Sequence, residues 1–227
     1  MHPGTDQFLS GSMDKTVKLW DLNTPNWCTS VELDGPNLVA WDPQGKTVGV
    51  AVPHMAHVFL FDAKNWKRPF AMFDLHKELD TDVPVTDPSD AFHGFTKLEF
   101  SNNGKYLLLG TKWNYHFVLD AFDGTMKAFL RKKNGPTDRL AVGEIKGGTV
   151  ESSGDCCFTP DGRYVLSGGR RDVLVWDLLA IPDQNKILEP SHVLESKHET
   201  ALVVHNPRFN MIATADRKLQ FWLPQSD

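Results

Sequence analysis

The sequence of 227 residues is poor in cysteine and has no long apolar run. Its three cysteines, Cys28, Cys156 and Cys157, form no CxxC pair, and the adjacent two would point to opposite faces of a strand. A disulfide framework is therefore not expected. The opening residues MHPGTDQF contain no apolar signal core, and no stretch approaches the roughly 18 apolar residues of a membrane span. These absences predict a reduced intracellular protein, nuclear or cytoplasmic.

A surplus of positive charge is also absent. The 24 Lys and Arg residues against 29 Asp and Glu residues give a formal charge of -5, which provides no overall field for nucleic acid or an anionic membrane. The sequence also lacks a glycine-rich phosphate loop, a GxSxG nucleophile elbow and an HExxH zinc motif. It therefore predicts no catalytic, cofactor-binding or metal-binding residues and no enzyme. We also expect the innermost strands to carry small apolar residues and not converging catalytic groups.

What the sequence does contain is a repeated strand pattern. Residues 7–22, QFLSGSMDKTVKLWDL, indicate two short strands that are joined by a tight turn and end in Trp-Asp. Comparable endings recur about every 40 to 60 residues, and a series of turns ending in Gly or Asn keeps the same phase. The endings are Trp20-Asp21, Phe61-Asp62, Leu119-Asp120, Trp176-Asp177 and Trp222-Leu223, and the turns end at Gly45, Gly104, Gly162 and Asn210.

Units of this length that end in Trp-Asp are typical of WD repeats, each of which forms one four-stranded blade of a β-propeller. The predicted fold class is all-β: a single, incomplete WD-repeat β-propeller with about five of seven blades and about eighteen strands, its N-terminal blades missing. The predicted divisions are a partial blade at 1–34, blades at 35–75, 95–135 and 151–198, and a last blade at 199–227 that lacks its outer strand.

Ser10, Asp14 and Trp20 match three positions of a hydrogen-bonded network that WD blades share, and the histidine of that network would lie in the absent part. Their role is predicted to be structural rather than catalytic. Phe61 and Leu119 replace the tryptophan in two middle blades, which predicts that apolar packing alone holds those blades.

Two long insertions, 75–94 and 131–150, are predicted to emerge on one face of the propeller, which we call the top face, beside the turns between second and third strands. Basic residues and one tryptophan on these loops would form a patch suited to phosphoserine or acidic peptides. The alternative is that these charged side chains only face water at the rim of the propeller and bind no partner. The candidate residues are Lys112, Trp113, Lys132, Lys133, Arg170 and Arg171.

Several stretches resemble the WD repeat-containing protein 82 family, and the resemblance covers essentially the whole chain. They include FLSGSMDKTVKLWDL at 8–22, LDAFDG at 119–124 and the final FWLP at 221–224. The resemblance implies a nuclear, non-catalytic WD-repeat subunit of the COMPASS histone lysine methyltransferase complex. In fungi the family also serves the cleavage and polyadenylation factor. It is linked to transcription termination, mRNA 3′ end processing and the phosphorylated C-terminal domain of RNA polymerase II.

Two other functions stay open at this point. One is a propeller of another RNA-processing complex that binds nucleic acid or a phosphopeptide directly, although the net charge disfavours nucleic acid. The other is a propeller enzyme, which has the weakest support because no catalytic motif is present. The implied partners are therefore protein subunits of the methyltransferase and polyadenylation complexes, without a membrane partner.

Overall fold

The computed structural model describes residues 1–79, 94–112, 115–132, 154–169, 171–198 and 200–224. These residues form nineteen strands in five sheets, together with a five-residue helix, α1 (Leu75–Leu79). The predicted all-β fold class is confirmed, and the five sheets are blades of an incomplete β-propeller. Within the described ranges, no helix has the length and apolar character needed to cross a membrane.

We number the blades in chain order. Blade 1 contains β1 (Gln7–Gly11), β2 (Thr16–Asp21) and β3 (Trp27–Glu32); blade 2 contains β4 (Leu38–Trp41), β5 (Thr47–Val52), β6 (His57–Asp62) and β7 (Ala71–Asp74). Blade 3 contains β8 (Phe95–Phe100), β9 (Tyr106–Thr111), β10 (Tyr115–Asp120) and β11 (Met126–Arg131). Blade 4 contains β12 (Cys156–Phe158), β13 (Tyr164–Gly168) and β14 (Asp172–Asp177), then, after the short β15 (Ile187–Leu188), β16 (His192–Glu195). Blade 5 contains β17 (Leu202–His205), β18 (Ile212–Ala215) and β19 (Leu219–Trp222).

Burial along the strands reflects how many neighbours a blade has. In β2, Val17 and Leu19 are buried against blade 2, while Trp20 on the other face stays half-buried. The middle strands of blade 3 are buried on both faces: Leu109 packs in a cluster with blade 2, and Leu108 packs in another with blade 4. A sheet covered on both faces is read in sequence as a continuous apolar run, as in β9 and β10.

The turns between the first and second strands of the middle blades share one construction. Their glycines adopt the left-handed conformation that only glycine enters freely. In blade 2, Asp42 Oδ1 accepts a hydrogen bond from the backbone N–H of Thr47 at 2.7 Å, which closes the turn. The glycines are Gly45, Gly104 and Gly162, with φ of 69°, 70° and 69°.

The connection between β14 and β16 makes a contact that the sequence pattern did not predict. Its strand β15 pairs in parallel with β11, so that Ile187 lies opposite Phe129. Asp183 fixes the approach, since its Oδ1 accepts a hydrogen bond from the N–H of Ile187 at 2.7 Å. β15 is thus a fifth strand of the blade 3 sheet. The sequence pattern did not predict it, because two residues are too few to give a periodic signal.

Neighbouring blades approach each other closely at the glycines that end β1 and β13. A Cβ atom on Gly11 would lie 2.1 Å from the carbonyl oxygen of Asn37, which precedes β4. A Cβ atom on Gly168 would lie 1.8 Å from the carbonyl oxygen of Thr200, which precedes β17. No side chain fits such a gap, so the spacing of these blades requires glycine.

We expect Gly168→Ala to lower the free energy of unfolding by about 1–3 kcal/mol, because the added methyl group overpacks the junction between blades 4 and 5. Gly4→Ala is the matched control, since the nearest atom to its Cβ would be a side-chain carbon 3.9 Å away. Urea denaturation followed by tryptophan fluorescence measures both variants. Equal stabilities would show that the junction accommodates the methyl group.

Candidate partner-binding faces and the network between blades

The structure describes three of the six residues of the predicted top-face patch. Lys112 follows β9 and Arg171 precedes β14, and both side chains are exposed. Lys132 is buried, and its Nζ donates a hydrogen bond to the carbonyl oxygen of Thr111 at 2.5 Å. The expectation that Lys132 presents its charge to a partner is therefore corrected, because its ammonium group satisfies a buried backbone acceptor. Trp113, Lys133 and Arg170 lie outside the described residues.

Ser10 and Trp20 are brought together in blade 1. The indole Nε1 of Trp20 donates a hydrogen bond to Ser10 Oγ at 2.8 Å, on the face of the blade away from blade 2. Asp14 lies apart from this pair. Its carboxylate accepts hydrogen bonds from the N–H and the hydroxyl of Thr16 at 2.9 and 2.6 Å, so it closes the β1–β2 turn instead.

The same pair of positions recurs in the other blades. In blade 5, Trp222 Nε1 donates to Thr214 Oγ1 at 3.0 Å, in the same strand register as Trp20 and Ser10. In blades 2 and 3 both positions are apolar: Phe61 with Val50, and Leu119 with Leu109. A tryptophan at this position therefore occurs with a hydroxyl group on the preceding strand, and its replacement occurs with an aliphatic side chain there.

Blade 4 has the tryptophan and the hydroxyl group, but it uses the hydroxyl differently. Ser167 Oγ lies 2.8 Å from Nε2 of His116 and donates to the carbonyl oxygen of Asp155 at 3.0 Å. His116 belongs to β10 of blade 3 and is completely buried, with its ring edge-on to Trp176 at 6.0 Å. A histidine from the preceding blade thus enters the network of blade 4.

The hydrogen bonds of His116 define its protonation state. Its Nδ1 accepts a hydrogen bond from the backbone N–H of Thr111 at 3.0 Å, so the proton is on Nε2, which donates to Ser167. Burial holds the pKa of His116 well below its ordinary value, and the nearby charges of Lys132 and Lys97 lower it further. His116 is therefore neutral; its hydrogen bond with Ser167 joins the top of blade 3 to blade 4, and its bond with Thr111 lies within blade 3.

This burial predicts a pH dependence of stability. The pKa of His116 is lower in the folded state, so the unfolded chain binds one more proton below about pH 6.5. The free energy of unfolding therefore decreases as the pH is lowered below this value, by up to about 1.4 kcal/mol per pH unit. Stability at higher pH is unaffected by this group. We expect His116→Gln to remove this contribution from a plot of unfolding free energy against pH, whereas the exposed His192→Gln retains it. Parallel plots for the wild type and His116→Gln would contradict the assignment.

The innermost strands carry a charged cluster, contrary to the expectation of small apolar residues. Lys97 Nζ on β8 lies 3.1 Å from Glu99 Oε2 and 3.3 Å from Asp155 Oδ1, and it donates to the carbonyl oxygen of Cys156 at 2.6 Å. Burial lowers the pKa of Lys97, but the two carboxylates outweigh burial and raise it above its ordinary value. Burial raises the pKa of Glu99, although Lys97 opposes that change.

The cluster has a structural role, because it pairs backbone groups on the free inner edges of the blades. Glu99 Oε1 accepts a hydrogen bond from the N–H of Phe158 on β12 at 3.3 Å. Asp155 Oδ2 accepts one from the N–H of Val203 on β17 at 3.0 Å. The inner strands of blades 3, 4 and 5 are thereby connected by side chains, and otherwise unpaired amides are satisfied.

The described residues also limit the chemistry available near this cluster. Burial raises the pKa of Cys157 to about 12 and also raises the pKa of Cys156, so both thiols are protonated at neutral pH. A protonated thiol is neither an effective nucleophile nor a metal ligand. Among the described residues, no group of three or more His, Cys, Asp or Glu side chains could hold a metal ion.

Sequence comparison agrees with the geometry. The family model of the WD domain, G-beta repeat, matches residues 1–21 and 147–177. COMPASS component SWD2 of Saccharomyces cerevisiae is 32% identical over 98% of the chain and 63% of its own length. WD repeat-containing protein 82 of Drosophila melanogaster is 33% identical over 99% of the chain and 62% of its own length. A WD repeat-containing protein of Schizosaccharomyces pombe is 32% identical over 98% of the chain and 64% of its own length.

The repeat match and the five predominantly antiparallel sheets define a WD-repeat protein with an incomplete β-propeller. Within that class, the chain is similar to COMPASS component SWD2 and WD repeat-containing protein 82 along nearly its whole length. The resemblance predicted from the sequence motifs is therefore confirmed. The chain spans less than two thirds of the length of these relatives.

Sequence reasoning missed His116 and the Lys97 cluster. A weak signal for His116 was present, because it is a polar residue inside the otherwise apolar run of β10. Lys97 and Glu99 alternate with buried residues in β8, which is also the pattern of a solvent-exposed strand face. Only the packing of blade 4 against blade 3 distinguishes a charge that faces water from one that caps a neighbouring strand.

Proposed function

We propose that the chain is a non-catalytic WD-repeat scaffold subunit of a COMPASS-type histone lysine methyltransferase complex. The similarity to COMPASS component SWD2 along 98% of the chain carries this proposal. The Set1 complex component swd2 of Schizosaccharomyces pombe adds support, at 27% identity over 93% of the chain. Two relatives that are named as subunits of such complexes thus share most of the described blades.

The geometry favours a scaffold over an enzyme. The charged groups near the centre, Lys97, Glu99 and Asp155, are paired with one another and with backbone groups of the next blade. A catalytic site needs polar groups that converge on a substrate, whereas these groups converge on the protein itself. Rigid blades with exposed connecting loops are suited to holding other proteins.

The family resemblance supports a finer proposal. The chain would be nuclear and would contact protein subunits of the methyltransferase and polyadenylation complexes, with a link to transcription termination and mRNA 3′ end processing. A membrane is not among the proposed partners. The formal charge of -5 also argues against direct binding of nucleic acid.

Affinity capture tests the main proposal. An epitope-tagged chain expressed in its own cells should copurify with a methyltransferase subunit, and the eluate should methylate histone octamers. Val17→Asp should abolish capture, because it places a charge in the fully buried contact between blades 1 and 2. Lys64→Glu, an exposed substitution, should leave it intact. Recovery of polyadenylation subunits without methyltransferase would assign the chain to the other complex.

A second proposal concerns the top face. We propose that Lys112 and Arg171, with Trp113, Lys133 and Arg170, bind a phosphorylated peptide such as the C-terminal domain of RNA polymerase II. The supporting observation is that Lys112 and Arg171 are exposed on equivalent turns of adjacent blades and form no salt bridge with another described residue. Two cations on neighbouring loops suit a phosphate group.

Fluorescence anisotropy with a doubly phosphorylated heptad peptide tests the top face. The double variant Lys112→Glu/Arg171→Glu should weaken binding at least about ten-fold, which corresponds to about 1.4 kcal/mol. Lys64→Glu is the control, because it makes the same change of charge at a single exposed site elsewhere. A single-stranded RNA of similar length tests the nucleic-acid alternative. Binding that is unchanged in the double variant would rule out this patch as the phosphopeptide site.

A further inference from the structure

The connection between β10 and β11 in blade 3 presents an aromatic ring to solvent. The side chain of Phe122 is 92% exposed, the largest aromatic exposure among the described residues. It belongs to the LDAFDG stretch, which stands where a Trp-Asp ending is expected. Covering an aromatic ring that is exposed to water is energetically favourable, so such a ring is suited to contact with another molecule.

The loop that carries Phe122 is rigid. The carboxylate of Asp120 accepts a hydrogen bond from the N–H of Phe122 at 2.8 Å, and Asp123 accepts one from the N–H of Thr125 at 2.8 Å. Gly124 has a left-handed φ of 78°, and a Cβ there would lie 2.3 Å from the ring of Phe73 in blade 2. These contacts hold the backbone of the loop, so a ligand would meet Phe122 on an ordered loop.

A hollow of about 310 Å³ lies beside this ring. Within it, Lys127 Nζ is 3.3 Å from the Asp120 carboxylate, so these two charges are paired. Lys105 is exposed and forms no ion pair with another described residue, which leaves its ammonium group available. We call this feature the Phe122 hollow, and its lining consists of Gly104, Lys105, Tyr106, Asp120, Phe122 and Lys127.

The hollow thus combines two aromatic side chains with an unpaired cation. We propose that the Phe122 hollow docks a short acidic segment of a partner protein that carries one aromatic or large aliphatic side chain. That side chain would cover Phe122 and Tyr106, and an adjacent carboxylate would pair with Lys105. The site lies at the opposite end of the strands from the top-face turns, and the inference does not depend on which complex the chain joins.

Peptide binding tests this inference. The probe is a fluorescein-labelled Gly-Glu-Asp-Phe-Asp-Glu-Gly peptide, and the controls replace Phe by Ala or the four acidic residues by Lys. The wild-type chain should bind the probe at least about five-fold more tightly than either control peptide. Because the chain has a formal charge of -5, attraction of an acidic peptide must arise locally.

Variants of the protein locate the site. Phe122→Ser and Lys105→Glu should each weaken binding of the probe at least about five-fold. Ile181→Ser is the matched control, since Ile181 is 94% exposed on the corresponding connection of blade 4 but does not line the hollow. All three positions are exposed, so equal melting temperatures are expected. Failure of the wild type to prefer the probe, or equal losses in Ile181→Ser and Phe122→Ser, would overturn the proposal.

Discussion

The packing of each blade face against the face of its neighbour is the constraint on which this structure depends. A single four-stranded sheet has two faces, and β9 and β10 are buried on both because blades 2 and 4 cover them. At Gly11 and Gly168 the contact is close enough to bring strand and backbone carbonyl together without a side chain between them. Small residues at these junctions therefore set the spacing that all other contacts require.

Polar connections between the blades depend on that spacing. His116 reaches Ser167 across the junction of blades 3 and 4, and Asp155 reaches the N–H of Val203 across the next junction. These hydrogen bonds add direction to a contact that apolar packing leaves less specific. A blade that moved by a fraction of an ångström would leave buried donors and acceptors unpaired, and such a loss is costly.

The fold class followed from the sequence because Trp-Asp endings and glycine turns are local signals with a long period. The pairing of Trp20 with Ser10 is equally local, since both lie in one hairpin. The burial of Lys132 could not be predicted, because it depends on the carbonyl of Thr111, 21 residues away in the chain. The parallel pairing of β15 with β11 depends likewise on a neighbouring blade, to which the sequence of β15 contains no pointer.

The two outer faces of the described arc are unlike, and the difference has a consequence. On the outer face of blade 1, Trp20 stacks on Phe8, with ring centroids 5.9 Å apart. Blades 4 and 5 pack the equivalent face against the blade that precedes them. Blade 5 presents the aliphatic and aromatic side chains of the opposite kind of face. These are Leu202, Val204, Leu219 and Phe221.

Each junction inside the arc joins one face of each kind, so the two outer faces are the separated halves of the same contact. Exposed apolar faces of this kind in water favour association. A partner that covered both outer faces would therefore offer the kind of face that carries the tryptophan to Phe221 and an aliphatic face to Trp20. A WD-type blade satisfies both conditions, because every complete blade in this chain carries one face of each kind.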